Sequence, residues 1–113
     1  MRYLTLIFLL ILSLSEVSFS QGNEAGKADI SRSITLYPNP ALDFINIKST
    51  VLNARQIKLV IYNILGNEIQ AETEIIDDHE VRVRVKELST GYYLIAVRDE
   101  QTQFRGTYKF LKR

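Results

Sequence analysis

The chain has 113 residues, with 14 Lys and Arg against 13 Asp and Glu, a net charge of +1. That length leaves room for one domain, and a near-neutral balance gives no bulk attraction to nucleic acid. Cysteine is absent and there is a single histidine, which excludes disulfides, thiolate metal sites, thiol nucleophiles and multi-histidine centres.

The chain opens on a base, Arg2, followed by an apolar run from Leu4 to Leu14 broken only by Thr5 and Ser13. Small residues then stand at Ser18 and Ser20. This is the pattern of a cleavable signal peptide over residues 1–20, cut between Ser20 and Gln21. The apolar run is shorter than the ~20 residues that span a bilayer, so an uncleaved anchor fits less well. With no cysteine after it, a lipid anchor is excluded. Residues 21–32 carry mixed charges and only Ala25, Ala28 and Ile30 as apolar positions. Without an apolar stripe they read as a short flexible linker. A stretch of this length holds no cargo domain.

From residue 33 to 113 the chain reads as one all-β domain. Ser33–Tyr37 alternates and stops at Pro38-Asn39-Pro40, where the prolines block ladder hydrogen bonds and force an extended turn. Phe44–Lys48 and Gln56–Tyr62 come next, the latter closed by Gly66-Asn67. Glu68–Ile75, Val81–Lys86, Tyr92–Arg98 and Thr107–Lys112 complete the set. About seven short antiparallel strands with regular turns predict an immunoglobulin-like β-sandwich.

One register is legible from charge alone. Glu72 and Glu74 alternate with Thr73 and Ile75, while Arg82, Arg84 and Lys86 alternate with Val81, Val83 and Val85. A fold at Ile76–Glu80 sets Glu74 against Arg82, Glu72 against Arg84 and Gln70 against Lys86. It places Ile75–Val81, Thr73–Val83 and Ala71–Val85 inside. A slip by one residue would turn the valines to solvent.

The chemical candidates are few. Asp77-Asp78-His79-Glu80 could attract a cation, but its spacing is not that of a calcium loop and it reads as a solvated hairpin tip. His79 stands among acids with no nucleophile-elbow glycines, so a catalytic triad is not predicted. The aromatic residues Tyr37, Tyr62, Tyr92, Tyr93, Tyr108, Phe44, Phe104 and Phe110 fall at strand spacing and read as core and edge filling rather than stacking platforms. No metal, cofactor or small-molecule substrate is predicted, and no enzyme. The final ten residues hold Arg105, Lys109, Lys112 and Arg113 without an acid. This basic strand ends with the sequence and is presentable to a receptor.

Leu36-Tyr37-Pro38-Asn39-Pro40-Ala41, then Leu59-Val60-Ile61-Tyr62-Asn63 with Gly66, then Leu88-Ser89-Thr90-Gly91-Tyr92-Tyr93, and finally Lys109-Phe110-Leu111-Lys112 occur in this order. Together they resemble the C-terminal sorting domain of the type IX (Por) secretion system of Gram-negative bacteria. The resemblance implies a non-catalytic folded export signal. Its partners would be the type IX translocon and a sortase-like surface peptidase, and the protein would be delivered through the periplasm and outer membrane to the cell surface or the medium. It points to Pro38, Asn39, Pro40, Gly91, Tyr93, Lys109, Phe110 and Lys112 as the residues that serve recognition. The alternative is a small secreted binding or adhesion module of the same fold without a sorting role.

Overall fold

The computed structural model describes residues 22–113, so the predicted signal peptide and its Ser20–Gln21 cleavage position lie outside the described residues. The first of the described elements is a helix, α1 (Gly22–Ser33), where the sequence predicted a flexible linker. Glutamate, alanine and lysine favour a helix in this stretch, yet it has no apolar stripe because one residue anchors it. Ile30 packs against the core of the domain. Ser33 ends the helix by donating its hydroxyl to the Ile30 carbonyl at 2.6 Å, and Ser31 Oγ lies 3.3 Å from the Tyr108 hydroxyl. A single anchor is invisible to periodicity, which needs a repeat.

Beyond the helix run eight strands: β1 (Ile34–Tyr37), β2 (Phe44–Ser49), β3 (Ile57–Asn63), β4 (Glu68–Ile69), β5 (Thr73–Asp77), β6 (Glu80–Arg84), β7 (Gly91–Asp99) and β8 (Phe104–Lys112). They form two antiparallel sheets, ordered β1-β2-β6-β5 and β4-β3-β7-β8. Alternate residues of both turn inward. Ile45, Ile47 and Val83 of one sheet and Ile95, Val97 and Phe110 of the other share one buried cluster.

The count is eight rather than seven because the predicted strand Glu68–Ile75 is two. β4 belongs to one sheet and β5 to the other, and the chain crosses between them at residues 70–72. The alternation of polar and apolar residues runs through the crossing unbroken, so it carried no sign of a change of sheet. β8 also begins earlier than predicted, at Phe104.

The β5–β6 register is the predicted one: Thr73 pairs with Val83, Glu74 with Arg82 and Ile75 with Val81. The Arg84 amide donates to the Glu72 carbonyl at 2.9 Å. The predicted pairs of Gln70 and Ala71 fall outside β5. The predicted cross-strand charge contacts are not what the arginines make. Arg82 donates Nε to Asn46 Oδ1 at 3.1 Å and lies 5.2 Å above the Phe44 ring. Arg84 pairs with Glu87 at 2.9 Å, and that hydrogen bond holds the Glu87 carboxyl below its usual range. Arginine is long enough to choose among acceptors, so backbone register does not fix its partner. Ile75 faces inward in register yet stays 46% exposed, because β5 is the edge of its sheet.

A charge-reversal cycle separates these contacts. Arg84→Glu meets Glu87, Glu72 and Asp43, all of which now attract the guanidinium, so its melting temperature falls. Adding Glu87→Arg recovers more of the loss than adding Glu72→Arg. Equal recovery in thermal melts would return the pairing to the cross-strand neighbour.

Candidate functional site

The three stretches that the sequence marked for recognition are far apart in the chain and meet at one end of the domain. The pairing of β7 with β8 sets Gly91 against Lys112 and Tyr93 against Phe110. The proline turn then closes on the other side of β8. Ala41 forms a parallel bridge with Lys112. Its amide donates to the Leu111 carbonyl at 2.7 Å, and its carbonyl accepts the Arg113 amide at 2.9 Å. Asn39 Oδ1 accepts the Leu111 amide at 3.0 Å. Leu111 therefore turns both backbone groups away from β7 and toward the turn.

This latch explains the local sequence. Prolines at 38 and 40 keep the segment out of an ordinary ladder. The residue after them must be small, because Ala41 is 0% exposed. Asn39 supplies a side-chain acceptor where a backbone carbonyl does not reach. Both X–Pro bonds, Tyr37–Pro38 and Asn39–Pro40, are cis.

Two aromatic residues brace the same end. The Tyr93 and Phe110 rings stack at a centroid distance of 5.7 Å and an angle of 22°. The Tyr93 hydroxyl donates to the Ser89 carbonyl at 2.7 Å, tying the start of β7 to the turn before it. Gly91, between them in the chain, has φ +151°, a conformation that side chains rarely adopt.

The marked residues divide by exposure. Pro38, Asn39, Pro40 and Lys109 are exposed and Gly91 is half-buried. Tyr93, Phe110 and Lys112 are buried. Lys112 keeps its charge solvated by the backbone, donating Nζ to the Arg113 carbonyl at 2.6 Å. Lys109 Nζ lies 4.8 Å from the centre of the Tyr92 ring. The accessible surface at this end is thus a rigid proline turn beside a lysine on an aromatic platform. Ala41 and Leu111, which carry most of the latch, were not singled out from sequence. The cue was there in an alanine directly after two prolines, but a backbone contact leaves no residue-type signature.

The acidic turn is arranged differently. Asp78 pairs with Arg55, Asp77 Oδ1 accepts the His79 amide at 2.7 Å, and His79 Nδ1 lies 3.2 Å from the Leu52 carbonyl. These contacts fasten the β5–β6 hairpin to the loop after β2. Among the described residues no three metal-ligating side chains cluster. The Tyr37 phenol is held above its usual pKa, chiefly by the Glu80 carboxylate beside it.

Replacing Asn39 by alanine removes one acceptor from a partly exposed amide. The expected loss is about 0.5–1.5 kcal/mol, read as a lower urea midpoint with an unchanged slope, and with faster hydrogen exchange at the Leu111 amide alone.

These features define a two-sheet β domain whose last strand is locked in place by a turn from its beginning. Residues 35–112 match the family described as the secretion system C-terminal sorting domain, and the chain belongs to that family. No curated protein and no solved structure matches the chain. Membership makes the domain a sorting signal of type IX secretion, a kind of domain that is in general non-catalytic. It implies interaction with that machinery and delivery to the cell surface or the medium of a bacterium.

Proposed function

We propose that the type IX translocon recognises the latched end of the domain, with the Pro38–Pro40 turn and Lys109 as the touched surface. Gly91, Tyr93, Phe110 and Lys112 hold that surface in shape. The observation that carries this reading is the latch itself, which joins the first and last marked motifs into one patch through Asn39, Ala41, Leu111 and Arg113. A receptor reading this patch reads a folded domain, since its two halves are 72 residues apart in the chain and are joined by the fold.

The protein reaches the periplasm by its signal peptide, cut after Ser20, and the domain then directs passage across the outer membrane of a Gram-negative host. A sortase-like peptidase acts at the surface. The fold is an immunoglobulin-like sandwich. The orders β1-β2-β6-β5 and β4-β3-β7-β8 correspond to the A-B-E-D and C′-C-F-G sheets of that architecture. The Tyr93–Ser89 bond stands where such domains place their tyrosine corner.

The test is a reporter: a signal peptide, a fluorescent protein and residues 22–113, expressed in a host with the type IX translocon and in one without it. Delivery outside the cell only in the competent host is expected. Deleting Tyr108–Arg113, or changing Lys109→Glu in a domain that still folds, should leave the reporter in the periplasm. Periplasmic retention of the intact fusion in both hosts would leave a secreted binding module instead.

A further inference from the structure

The β3–β4 hairpin ends in a display that the core does not use. Its tip, residues 63–67, carries Ile64 and Leu65, which are 70% and 83% exposed, more than any other large apolar side chain among the described residues. Neither joins the buried cluster or packs against it. Tight turns favour glycine, asparagine, aspartate and serine, so two adjacent aliphatic side chains here serve no local need.

The backbone beneath them is nonetheless firmly held. Asn63 Oδ1 accepts the Leu65 amide at 3.1 Å and the Asn67 amide at 2.9 Å. The Asn63 carbonyl accepts the Gly66 amide at 3.0 Å, and the Asn63 amide donates to the Asn67 carbonyl at 2.9 Å. Gly66 supplies the φ of +88° that closes the turn. One asparagine thus fixes the backbone on both sides of Ile64 and Leu65. Exposed apolar groups held in a fixed geometry are pre-organised for a complementary pocket.

The place of the tip in the fold identifies whose pocket. β3 reaches its last residue, Asn63, beside Tyr93, and Tyr93 stands beside Phe110. Two residues nearer the end, Gly91 meets Lys112 and Lys112 meets Ala41. The tip therefore projects from the same end as the latch, about 14 Å from the proline turn across three strand spacings. Leu42 and Tyr92, next in the chain to Ala41 and Gly91, are exposed at this end too. We propose that Ile64 and Leu65 enter an apolar pocket in a protein of the type IX machinery, so that the recognised surface runs from the Pro38–Pro40 turn to the hairpin tip. This rests on the reading that the latched end is what the translocon touches. Other occupants fit less well. Residues 63–68 hold one acid, Glu68, and no Lys or Arg, so an anionic bilayer meets no basic partner at the tip. Two aliphatic side chains also hold fewer carbons than a single acyl chain, which by itself binds membranes only marginally. A second copy meeting tip to tip would bury far less than the roughly 800 Å² per partner of a stable interface.

The test follows the full chain in a host with the type IX translocon, as the ratio of extracellular to periplasmic protein, with a thermal melt of each purified variant. Ile64→Ser combined with Leu65→Ser is expected to cut that ratio at least tenfold and to leave the melting temperature equal or higher, since the exposed side chains hold nothing in place. Ile64→Leu combined with Leu65→Met keeps the apolar volume and is expected to stay within twofold of the parent. A polar pair exported within twofold of the parent overturns the proposal, as does an apolar pair that fails as badly as the polar one. Lys109→Glu tests the latch reading separately: if it blocks export while the polar pair does not, the latch reading stands and the tip proposal falls. Periplasmic retention of the parent overturns both. Flotation of the purified protein with phosphatidylglycerol vesicles, or its dimerisation in sedimentation, if lost in the polar pair, would give the tip to a bilayer or to a second copy and also overturn the proposal.

Discussion

Phe110→Ala lowers the stability of the domain by about 3–5 kcal/mol. Phe110 is 0% exposed and is, among the described residues, the largest fully buried side chain. It sits in β8, stacked on Tyr93 of β7, and its removal empties the end of the core that the proline turn covers. Domains of this size hold only about 5–15 kcal/mol in total, so the variant approaches unfolding at room temperature. Urea titration reads the effect as a fall in midpoint at constant slope. Phe110→Leu keeps most of the apolar volume and loses less. The pair also separates two roles for the terminal strand. If export efficiency follows stability across Phe110→Leu and Phe110→Ala, the residue serves recognition only by holding the fold. Lys109→Glu should then abolish export with little change in midpoint.

The central strands were legible because each one faces a core with one side. Ile45 and Ile47, Val81 and Val83, Ile95 and Val97 are all buried, and each pair is spaced by two. That spacing is itself the imprint of a pleat on sequence. The β5–β6 register was legible for the same reason, since slippage would have exposed Val81 and Val83. What stayed hidden had no period. The division of β4 from β5 is a change of sheet without a change of alternation. Helix α1 docks on the core through one apolar residue, Ile30, with Ser31 beside the Tyr108 hydroxyl. The partners of Arg82 and Arg84 depend on side-chain rotamers, which strand register does not fix.

The candidate site was legible as three motifs but not as a place. Nothing in the order of residues says that Asn39 meets Leu111, since their contact is made by an amide that every residue but proline owns. The motif residues carry the cue instead: prolines that refuse a ladder and a glycine in an unusual conformation. The alignment of Lys58, Arg98 and Arg105 was hidden for a related reason: they are scattered in sequence, and only the registers of β3, β7 and β8 set them side by side.

Gly91→Ala is expected to cost about 1–3 kcal/mol, and its cause can be isolated. At φ +151° a side chain is strained whatever the space around it, and here a Cβ would meet nothing within 4 Å. The cost is therefore backbone conformation alone. Gly106, on the facing strand, presents the reverse case. A Cβ there would lie 2.7 Å from Phe104 Cζ and 3.1 Å from the Tyr108 hydroxyl oxygen. Gly106→Ala is a packing clash, so trimming the neighbour with Phe104→Leu should recover part of its loss. No side-chain substitution should recover Gly91→Ala. Because Gly91 pairs with Lys112, its strain is expected to appear first as faster exchange at the Lys112 and Arg113 amides, before the rest of β8 loosens. A Gly91→Ala domain that melts with the parent and protects those amides equally would mean that any residue fits this turn. The glycine would then have to be explained by what approaches it from outside.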